Sequence, residues 1–499
     1  MKKIIIIGGG ISGLTAGIYA RKAGFETEIY ESHVVAGGEC TGWNRKGYHI
    51  DGCIHWLTGS KKGSDLYTIW ETTGALGDNV KVHDNECFAV MPYNGEVYRL
   101  YMDLDKLEKE LLRISPEDKS EIKNLIENIR LCQKLPVPAK KPMEFMNIME
   151  KISFMSKYMK VGKIMKDGKE ISVNTYLSRF HSEAIKYLFK AVMPDNMPLN
   201  TFFVSLGIRT SGNAGQPLGG SYQFAQRMKD RFEEMGGKLL LNTPVKEIIV
   251  KNGKATGIIL QKNNEIKTAD YIVPATDAFV LINNLLATKF KDKYFENRFN
   301  APGSYPLLSA TFIALGIKSG MRSINEDVLL KFKNPIKINN STHDSCLVKQ
   351  FSHDPIFSTN EKSLLTVTIN DSEFDYWDKL KKESIDSYND EKDRIATRII
   401  DEIENLYPEI KGTIEMKDVA TPLTFHRYCN AYKGAYMSFT SLPNVVSENH
   451  KGTIEGIENM YLAGQWVFPD GGLPMAAVAG KFAIQRICKK EKINLKLLE

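Results

Sequence analysis

Residues 3–31 read KIIIIGGGISGLTAGIYARKAGFETEIYE, and this stretch decides the fold. Four consecutive isoleucines predict a buried parallel strand, and the glycine-rich turn after them opens a helix. In such a unit the first glycine permits a tight turn, the third lets the backbone approach a pyrophosphate, and the last lets helix and strand pack closely. We therefore predict a Rossmann-type βαβ unit that binds a dinucleotide. The residues expected to form its phosphate site are Gly8, Gly10, Ile11, Ser12 and Gly13.

Glu31 ends the second predicted strand, 18 residues after Gly13. This is the distance expected for a carboxylate that accepts hydrogen bonds from ribose hydroxyls. An acid here would repel a 2′-phosphate and therefore argues against NADP at this site. The alternative is a solvated charge at the end of a strand.

The remaining glycines distinguish FAD from NAD. Gly37 and Gly38 follow Glu31, and a second group of cofactor-like residues lies near the other end of the sequence, at 459–465 and 471–475. FAD is long enough to need both groups. A strand over Met460–Ala463 would pass under the pyrophosphate, and a helix that begins near Pro474 would point its N-terminus at the flavin. The residues expected to bind FAD from this end are Gly464, Gln465, Pro474 and Met475.

Size and composition limit the other classes of function. A chain of 499 residues predicts two or three domains. The net charge of +6 is mild and is not concentrated in one run, so we expect no nucleic-acid partner. Seven irregularly spaced cysteines indicate a reducing, cytoplasmic environment without disulfides and without a metal site. No uninterrupted apolar stretch is long enough to predict a transmembrane helix.

The pattern along the chain predicts an α/β fold, α+β overall, in which the cofactor domain is interrupted by insertions. Local signals include a hairpin at Asn252-Gly253, a strand over Ser363–Ile369, and helices over 221–236 and 391–406. The predicted domains are a discontinuous FAD-binding domain at 1–100, 200–300 and 440–499, a helical insertion at 101–199, and a substrate domain with a β-sheet at 301–439.

These motifs together resemble the phytoene desaturase-like branch of the FAD-dependent amine oxidase superfamily, which includes carotenoid desaturases, carotenoid isomerases and retinol saturases. The resemblance covers almost the whole chain and is carried by residues 4–55, 216–276, 420–437 and 459–485. It implies that the backbone of Val245 contacts the adenine. Two positions depart from the branch. Gln465 replaces an aspartate that usually binds the ribityl chain, and Glu39, which we keep among the cofactor residues, replaces a basic residue.

The resemblance also implies that residues 52–57 pass close to the isoalloxazine. His55 is the titratable side chain there with an ordinary pKa near neutrality, which makes it our candidate acid or base. The alternative is a buried structural histidine. We expect Cys53 to be a packing residue because it has no companion cysteine nearby in the sequence. His426 and Arg427 are further candidates, with a solvated loop as the alternative.

Methionines and lysines alternate in residues 143–169. One interpretation is a lid that takes a lipophilic substrate from an anionic membrane surface, with peripheral membrane contact. The other is an ordinary core helix with a solvated lysine face. The residues concerned are Met143, Met146, Met149, Met155, Met159, Met165, Lys151, Lys157, Lys160, Lys163, Lys166 and Lys169.

The leading functional hypothesis is an FAD-dependent oxidoreductase that acts on a carbon–carbon bond of an isoprenoid or polyene substrate, with hydride transfer at flavin N5. The alternatives are a redox-neutral cis–trans isomerase that uses reduced FAD, an amine oxidase, and a non-enzymatic flavin-binding sensor or assembly protein. The sequence has no second GxGxxG after a strand. The electron partner therefore stays open between NAD(P)H, a quinone, oxygen and a protein.

Overall fold

The computed structural model describes residues 1–318, 324 and 326–498. The strands among these residues are β1 (Lys3–Ile7), β2 (Glu26–Tyr30), β3 (Gly42–Arg45), β4 (Tyr48–Asp51), β5 (Leu57–Thr58), β6 (Val82–His83), β7 (Cys87–Tyr93), β8 (Glu96–Tyr101), β9 (Ala214–Pro217), β10 (Lys238–Leu240), β11 (Val245–Lys251), β12 (Lys254–Leu260), β13 (Ile266–Thr268), β14 (Tyr271–Pro274), β15 (Ser309–Ile317), β16 (Val328–Ile338), β17 (Ser341–Gln350), β18 (Ser363–Asp371) and β19 (Ile414–Ala420). The helices are α1 (Ile11–Lys22), α2 (Asp65–Thr72), α3 (Leu104–Ile114), α4 (Lys119–Cys132), α5 (Ile148–Met159), α6 (Gly162–Asp167), α7 (Val173–Leu177), α8 (Glu183–Phe189), α9 (Leu199–Thr210), α10 (Gly220–Glu234), α11 (Ala278–Val280), α12 (Lys293–Phe299), α13 (Phe374–Glu383), α14 (Ile385–Leu406), α15 (Pro422–Cys429) and α16 (Gly472–Lys490).

A parallel sheet in the order β10-β2-β1-β14 carries the glycine turn. Ile4 and Ile6 of β1 belong to a core formed with α1, α10 and α16. Ile5 and Ile7 point to the other face and pack in a core with β11 and β12. Both faces of the strand are therefore covered, which explains its uninterrupted apolar sequence. The predicted α/β fold with a Rossmann-type unit is confirmed.

The antiparallel sheet β11-β12-β13 covers the second face of the parallel sheet. Its first two strands are joined at Asn252 and Gly253, whose φ angles are 50° and 72°. Positive φ at both residues is the geometry of a type I′ turn, which asparagine and glycine tolerate best. The predicted hairpin is therefore confirmed.

A larger sheet has the order β19-β15-β18-β17-β16-β7-β8. Its apolar face packs on α13 and α14 through Trp377, Ile395, Ile399 and Ile403. The predicted strand at 363–369 and the predicted helix at 391–406 both occur in it, with the helix beginning earlier, at Ile385. Strand β7 joins this sheet where its Val90 pairs with Val328 of β16, and β8 pairs with β7. Residues 87–101 therefore belong to the larger sheet, whereas the predicted boundary at residue 100 places most of them in the cofactor domain.

Helices α3 to α9 form a separate cluster around buried residues such as Leu107, Ile126 and Phe189. The predicted helical insertion ends at residue 199, but α9 extends the cluster to Thr210. Helices α5 and α6 differ from the longer helices because neither buries any of its residues. No helix in the described ranges has the length and apolar character needed to cross a bilayer.

The prediction of a strand over Met460–Ala463 is wrong, because these residues form no continuous strand. These residues run alongside β14, where the Ala463 N–H donates to the Pro274 carbonyl at 2.8 Å and Met460 forms one isolated bridge with Ile272. Strand β14 has only four residues and ends at Pro274, which has no N–H to continue a ladder.

Candidate functional site

The glycine turn between β1 and α1 is tightly packed at Gly8 and Gly13 and less crowded at Gly10. A Cβ at Gly8 would lie 2.8 Å from the Ala275 carbonyl oxygen, and Gly8 has a φ of +102°. A Cβ at Gly13 would lie 1.9 Å from the Gly8 carbonyl oxygen. A Cβ at Gly10 would have no neighbour closer than 3.8 Å. The backbone at Gly10 is therefore less crowded than at Gly8 and Gly13, so that a phosphate can approach it closely.

The start of α1 has the features of an anion site. Its N-cap, Gly10, has no side chain to accept from the first turn, and the first turn contains no acidic residue. Ile11, Ser12 and Gly13 are nevertheless buried. A buried helix start needs acceptors for its free N–H groups, and the positive end of the helix dipole favours an anion. This geometry fits the phosphates of a dinucleotide.

Glu31 lies at the glycine turn, as its position after β2 predicts. One carboxylate oxygen accepts from the Gly9 N–H at 2.5 Å and the other from the His33 N–H at 2.7 Å. A carboxylate has about four lone-pair sites, so acceptor capacity remains for ribose hydroxyls. The Thr243 N–H donates to the Glu31 carbonyl at 2.8 Å, which brings the start of β11, and hence Val245, to the same side of the site.

Residues from the two ends of the chain meet at this turn. The Gly37 N–H donates to the Gly9 carbonyl at 2.9 Å, and a Cβ at Gly38 would lie 3.3 Å from the Gly10 Cα. The Gly464 N–H donates to Ser12 Oγ at 2.6 Å, although 452 positions separate the two residues.

Helix α16 completes the site. It packs on α1 so closely that a Cβ at Gly480 would lie 2.3 Å from the Ser12 carbonyl oxygen. Its N-cap, Gly471, has no capping side chain, and no acid is present in the first turn, which contains Pro474 and Met475. The N-terminus of α16 thus provides a second location where developing negative charge is stabilised.

Gln465 links Glu39 to the start of α16. Its Nε2 donates to Glu39 Oε2 at 3.3 Å, and its Oε1 accepts from the Gly472 N–H at 2.8 Å. The pKa of Glu39 is raised to about 8, first by burial and second by the nearby carboxylate of Asp277, while Gln465 acts in the opposite direction. Glu39 is therefore neutral at neutral pH. A neutral acid at this position does not repel an anionic cofactor, which explains how it can replace a basic residue.

The segment with residues 52–57 is held between the domains. Asp51 is buried and accepts from both the backbone N–H and the hydroxyl of Ser221 at the start of α10. The Ile54 N–H donates to Ser221 Oγ at 2.7 Å. Lys349, at the end of β17, donates to the Ile54 carbonyl at 2.6 Å and to the His55 carbonyl at 3.1 Å. The segment is thus fixed to both the cofactor domain and the larger sheet.

A cavity of about 230 Å³ lies beside this segment. The apolar side chains on its wall are Trp56, Phe88, Met102, Ala214 and Leu347. The polar and other residues on it are His55, Asp84, Asn85, Asp103, Arg209, Thr210, Gly212, Gln216, Asp327 and Lys349. The sequence analysis did not identify Arg209, Asp327 or Lys349 as site residues.

The expectation that His55 titrates near neutrality is wrong. Burial, and then the positive charges of Lys349 and Arg209, lower its pKa to about 3. His55 is therefore a neutral imidazole over the physiological range, with Thr368 Oγ1 3.5 Å from its Nε2. It lines the cavity, but it is a poor acid or base near pH 7.

Cys53 packs against the core of the cofactor domain, as predicted, although the fold also brings a second cysteine beside it. The thiol of Cys40 interacts with that of Cys53, and burial raises the pKa of Cys40 well above its ordinary value. Both are free thiols. His426 and Arg427 lie on α15, where His426 Nδ1 lies 3.0 Å from the Ala431 carbonyl oxygen and Arg427 contacts the Tyr428 hydroxyl.

Comparisons with known proteins show the family to which the chain belongs. The profile of the family described as flavin containing amine oxidoreductase matches residues 11–488. The chain is 24% identical to an all-trans-retinol 13,14-reductase of Danio rerio, over 98% of this chain and 87% of that protein. It is 24% identical to the chloroplastic prolycopene isomerase of Daucus carota, over 97% and 79%. It is 22% identical to a lycopene-forming phytoene desaturase of Paracoccus sp., over 97% of each.

Solved structures show the same fold. An oxidoreductase from Methanosarcina mazei aligns with a TM-score of 0.63 at 15% identity, over 97% of this chain and 99% of that chain. Cyclohexylamine oxidase from Brevibacterium oxydans aligns with a TM-score of 0.61 at 14% identity, over 98% and 99%. The resemblance predicted from the motifs is confirmed. The chain belongs to the flavin containing amine oxidoreductase family and is an FAD-dependent oxidoreductase.

Proposed function

We propose that this oxidoreductase adds or removes hydrogen across a carbon–carbon bond of a lipophilic polyene or isoprenoid substrate. The observation that carries the proposal is the near full-length match to a retinol reductase and to carotenoid desaturases. The apolar cavity wall beside residues 52–57 supports it, because Phe88, Met102 and Leu347 can hold a hydrocarbon.

In this proposal the glycine turn and its neighbours bind FAD, and the cavity binds the substrate. When bound, FAD supplies hydride chemistry at N5. The chain holds the cofactor phosphates at Gly10–Gly13, receives the ribose at Glu31, contacts the adenine through the backbone at Val245, and positions the flavin near α16, Gly464 and Gln465. Gly37 and Gly38 form the inner wall of the same site.

Saturation of a double bond consumes one hydride and one proton, and desaturation releases both. Asp327 is a better proton carrier on the cavity wall than His55. Burial raises the pKa of Asp327 to about 6, while Lys349 opposes the rise. Its Oδ1 accepts from the Gln350 N–H at 3.0 Å. A pKa near the working pH suits a group that both takes up and gives up a proton.

The test is an anaerobic reaction of the holoenzyme with all-trans-retinol and with phytoene, started separately with oxidised and with photoreduced FAD. We expect one flavin to be reduced or reoxidised for each product that has lost or gained two hydrogens. A product of unchanged mass and altered geometry would favour the isomerase alternative. Oxidation of putrescine or cyclohexylamine without reaction of either lipid would contradict the proposal. The exposed Glu127→Gln variant is a control for nonspecific effects.

We also propose that α5 docks on an anionic lipid bilayer. Five of its apolar residues are each more than half exposed, and lysines flank them, so that hydrophobic and electrostatic attraction act together. The exposed apolar residues are Ile148, Met149, Ile152, Met155 and Met159. Lys141, in the segment before the helix, pairs with Glu150 of α5 at 2.7 Å, and Glu144 of the same segment pairs with Arg486 of α16 at 2.8 Å.

Flotation with phosphatidylglycerol vesicles and with phosphatidylcholine vesicles tests this docking. We expect binding to the anionic vesicles that falls with added salt and is lost in the Met155→Ser/Met159→Ser double variant. The exposed Lys492→Ser variant serves as a control away from α5. Equal flotation of the double variant and the wild type would contradict the assignment of α5.

A further inference from the structure

Arg209 occupies an unusual environment in the last turn of α9. Its side chain is buried, with only 2% of the residue exposed. Its guanidinium carbon lies 3.6 Å from the ring centre of Trp56 and 3.9 Å from that of Phe88. The planes of these two rings are 79° apart, so the guanidinium lies in an aromatic corner that restricts its orientation and favours its charge.

The edges of the guanidinium have no partner. All three nitrogens are buried without a hydrogen-bond acceptor among the described residues. Burial alone accounts for the lowering of the Arg209 pKa to about 9, so no carboxylate balances this charge. A buried cation with unused N–H groups is unfavourable unless a ligand or water satisfies them.

Arg209 is on the wall of the 230 Å³ cavity beside His55 and Trp56. Two of the three acids on the same wall, Asp103 and Asp327, have other partners. Asp103 accepts from the first N–H groups of α3, at Asp105 and Lys106, and Asp327 is close to the charge of Lys349. Asp84 has its pKa raised by burial. Neither Asp103 nor Asp327 is available to neutralise Arg209.

We propose that this cavity binds the carboxylate end of the substrate, with Arg209 as its partner. This inference rests on the proposed function and names the polar group of the lipophilic substrate. All three guanidinium nitrogens lack an acceptor among the described residues, and a planar carboxylate fits the edge of a guanidinium through two parallel hydrogen bonds. The three acids on the wall disfavour a doubly charged phosphate more than a singly charged carboxylate. Phe88 and Leu347 provide apolar surface for the adjoining hydrocarbon.

Binding of matched lipids to the holoenzyme tests the inference. The probes are all-trans-retinoic acid, all-trans-retinol and retinyl phosphate, which share a polyene and differ at the head group, and tryptophan fluorescence reports their dissociation constants. We expect the acid to bind about tenfold or more tightly than the alcohol, because a hydrogen-bonded ion pair forms only with the acid. Equal affinity for acid and alcohol, or tighter binding of the phosphate, would overturn the inference.

Variants then locate the carboxylate. Arg209→Met should remove the preference for the acid, and Arg209→Lys should restore part of it. Arg179→Met is the matched control, because Arg179 also stacks on an aromatic ring in the helical cluster, 5.2 Å from the centre of Tyr176, but is exposed. A preference for the acid that persists in Arg209→Met would overturn the inference. FAD content and thermal unfolding identify a variant that fails to fold. If Arg209→Met fails to fold, the comparison of acid and alcohol binding to the wild type still tests the inference.

The same experiment separates this inference from the proposed function. A carboxylate preference that depends on Arg209, without hydrogen transfer to or from any lipid, would leave the inference standing and remove the proposed function. Hydrogen transfer with retinol or phytoene, without a carboxylate preference, would leave the proposed function standing and remove the inference.

Discussion

The affinity for FAD should depend on pH through Glu39. This carboxyl lies between the start of α16 and the glycine turn, and its pKa is raised to about 8 by burial and by Asp277. A raised pKa means that the neutral form dominates below about pH 8 and that charge appears as the pH rises through it. Roughly a tenth of Glu39 is ionised at about pH 7 and about nine-tenths at about pH 9.

The charged form would repel the cofactor phosphates and the reduced flavin, so FAD binding should be strong below the pKa and weaken above it. If only the neutral form binds, the dissociation constant rises about tenfold between about pH 7 and about pH 9, which is about 1.4 kcal/mol. Fluorescence titration of the apoprotein with FAD measures this directly. Glu39→Gln should bind FAD with little dependence on pH, while the exposed control Glu127→Gln should behave like the wild type. A wild-type affinity that stays constant over this range, or a Glu39→Gln variant that follows the wild-type curve, would refute the reasoning.

Other substitutions test the packing and the chemistry of the site. Gly480→Val should lower the free energy of unfolding by about 1–3 kcal/mol or more and reduce FAD content, because its Cβ would meet the Ser12 carbonyl at 2.3 Å. The control is Gly162→Ala, where a Cβ meets nothing within 4 Å, and it should leave the thermal unfolding midpoint unchanged or higher. Ser12→Ala should weaken FAD binding by roughly tenfold or more in titration, because the buried Gly464 N–H loses its acceptor at a cost of about 1–3 kcal/mol. Asp327→Asn should lower the single-turnover rate about 10²-fold with unchanged FAD content; an unaltered rate would exclude it as the proton carrier.

The parts of the site that follow from local sequence could be predicted from it. The turn from Gly8 to Gly13 and the carboxylate of Glu31 depend on a strand, a turn and a helix that are adjacent in the chain, and the structure has them as expected. The Asn252-Gly253 hairpin depends on two residues with positive φ. The boundary of the cofactor domain at residue 100 could not be predicted in this way, because the pairing of β7 with β16 joins residues far apart in sequence.

The electrostatics of the site could not be predicted in this way. The pKa of His55 depends on Lys349 and Arg209, which approach it only in the folded chain. Arg209 is the single charged residue of α9, and the sequence does not show that its nitrogens lack acceptors. The neighbour of Cys53 is Cys40, and their spacing of 13 residues matches no metal or redox motif.

The hydrogen bond between Ser12 and Gly464 has a consequence for the supply of the protein in the cell. We propose FAD binding where the first and last elements of the fold meet, and a ligand that binds only the folded state stabilises it by about 2.7 kcal/mol at a concentration of 100 times its dissociation constant. Molecules that lack FAD would keep this junction with fewer contacts and open it more often to proteases. We therefore expect riboflavin starvation to shorten the lifetime of the polypeptide, so that its abundance follows vitamin availability even when its transcription is constant.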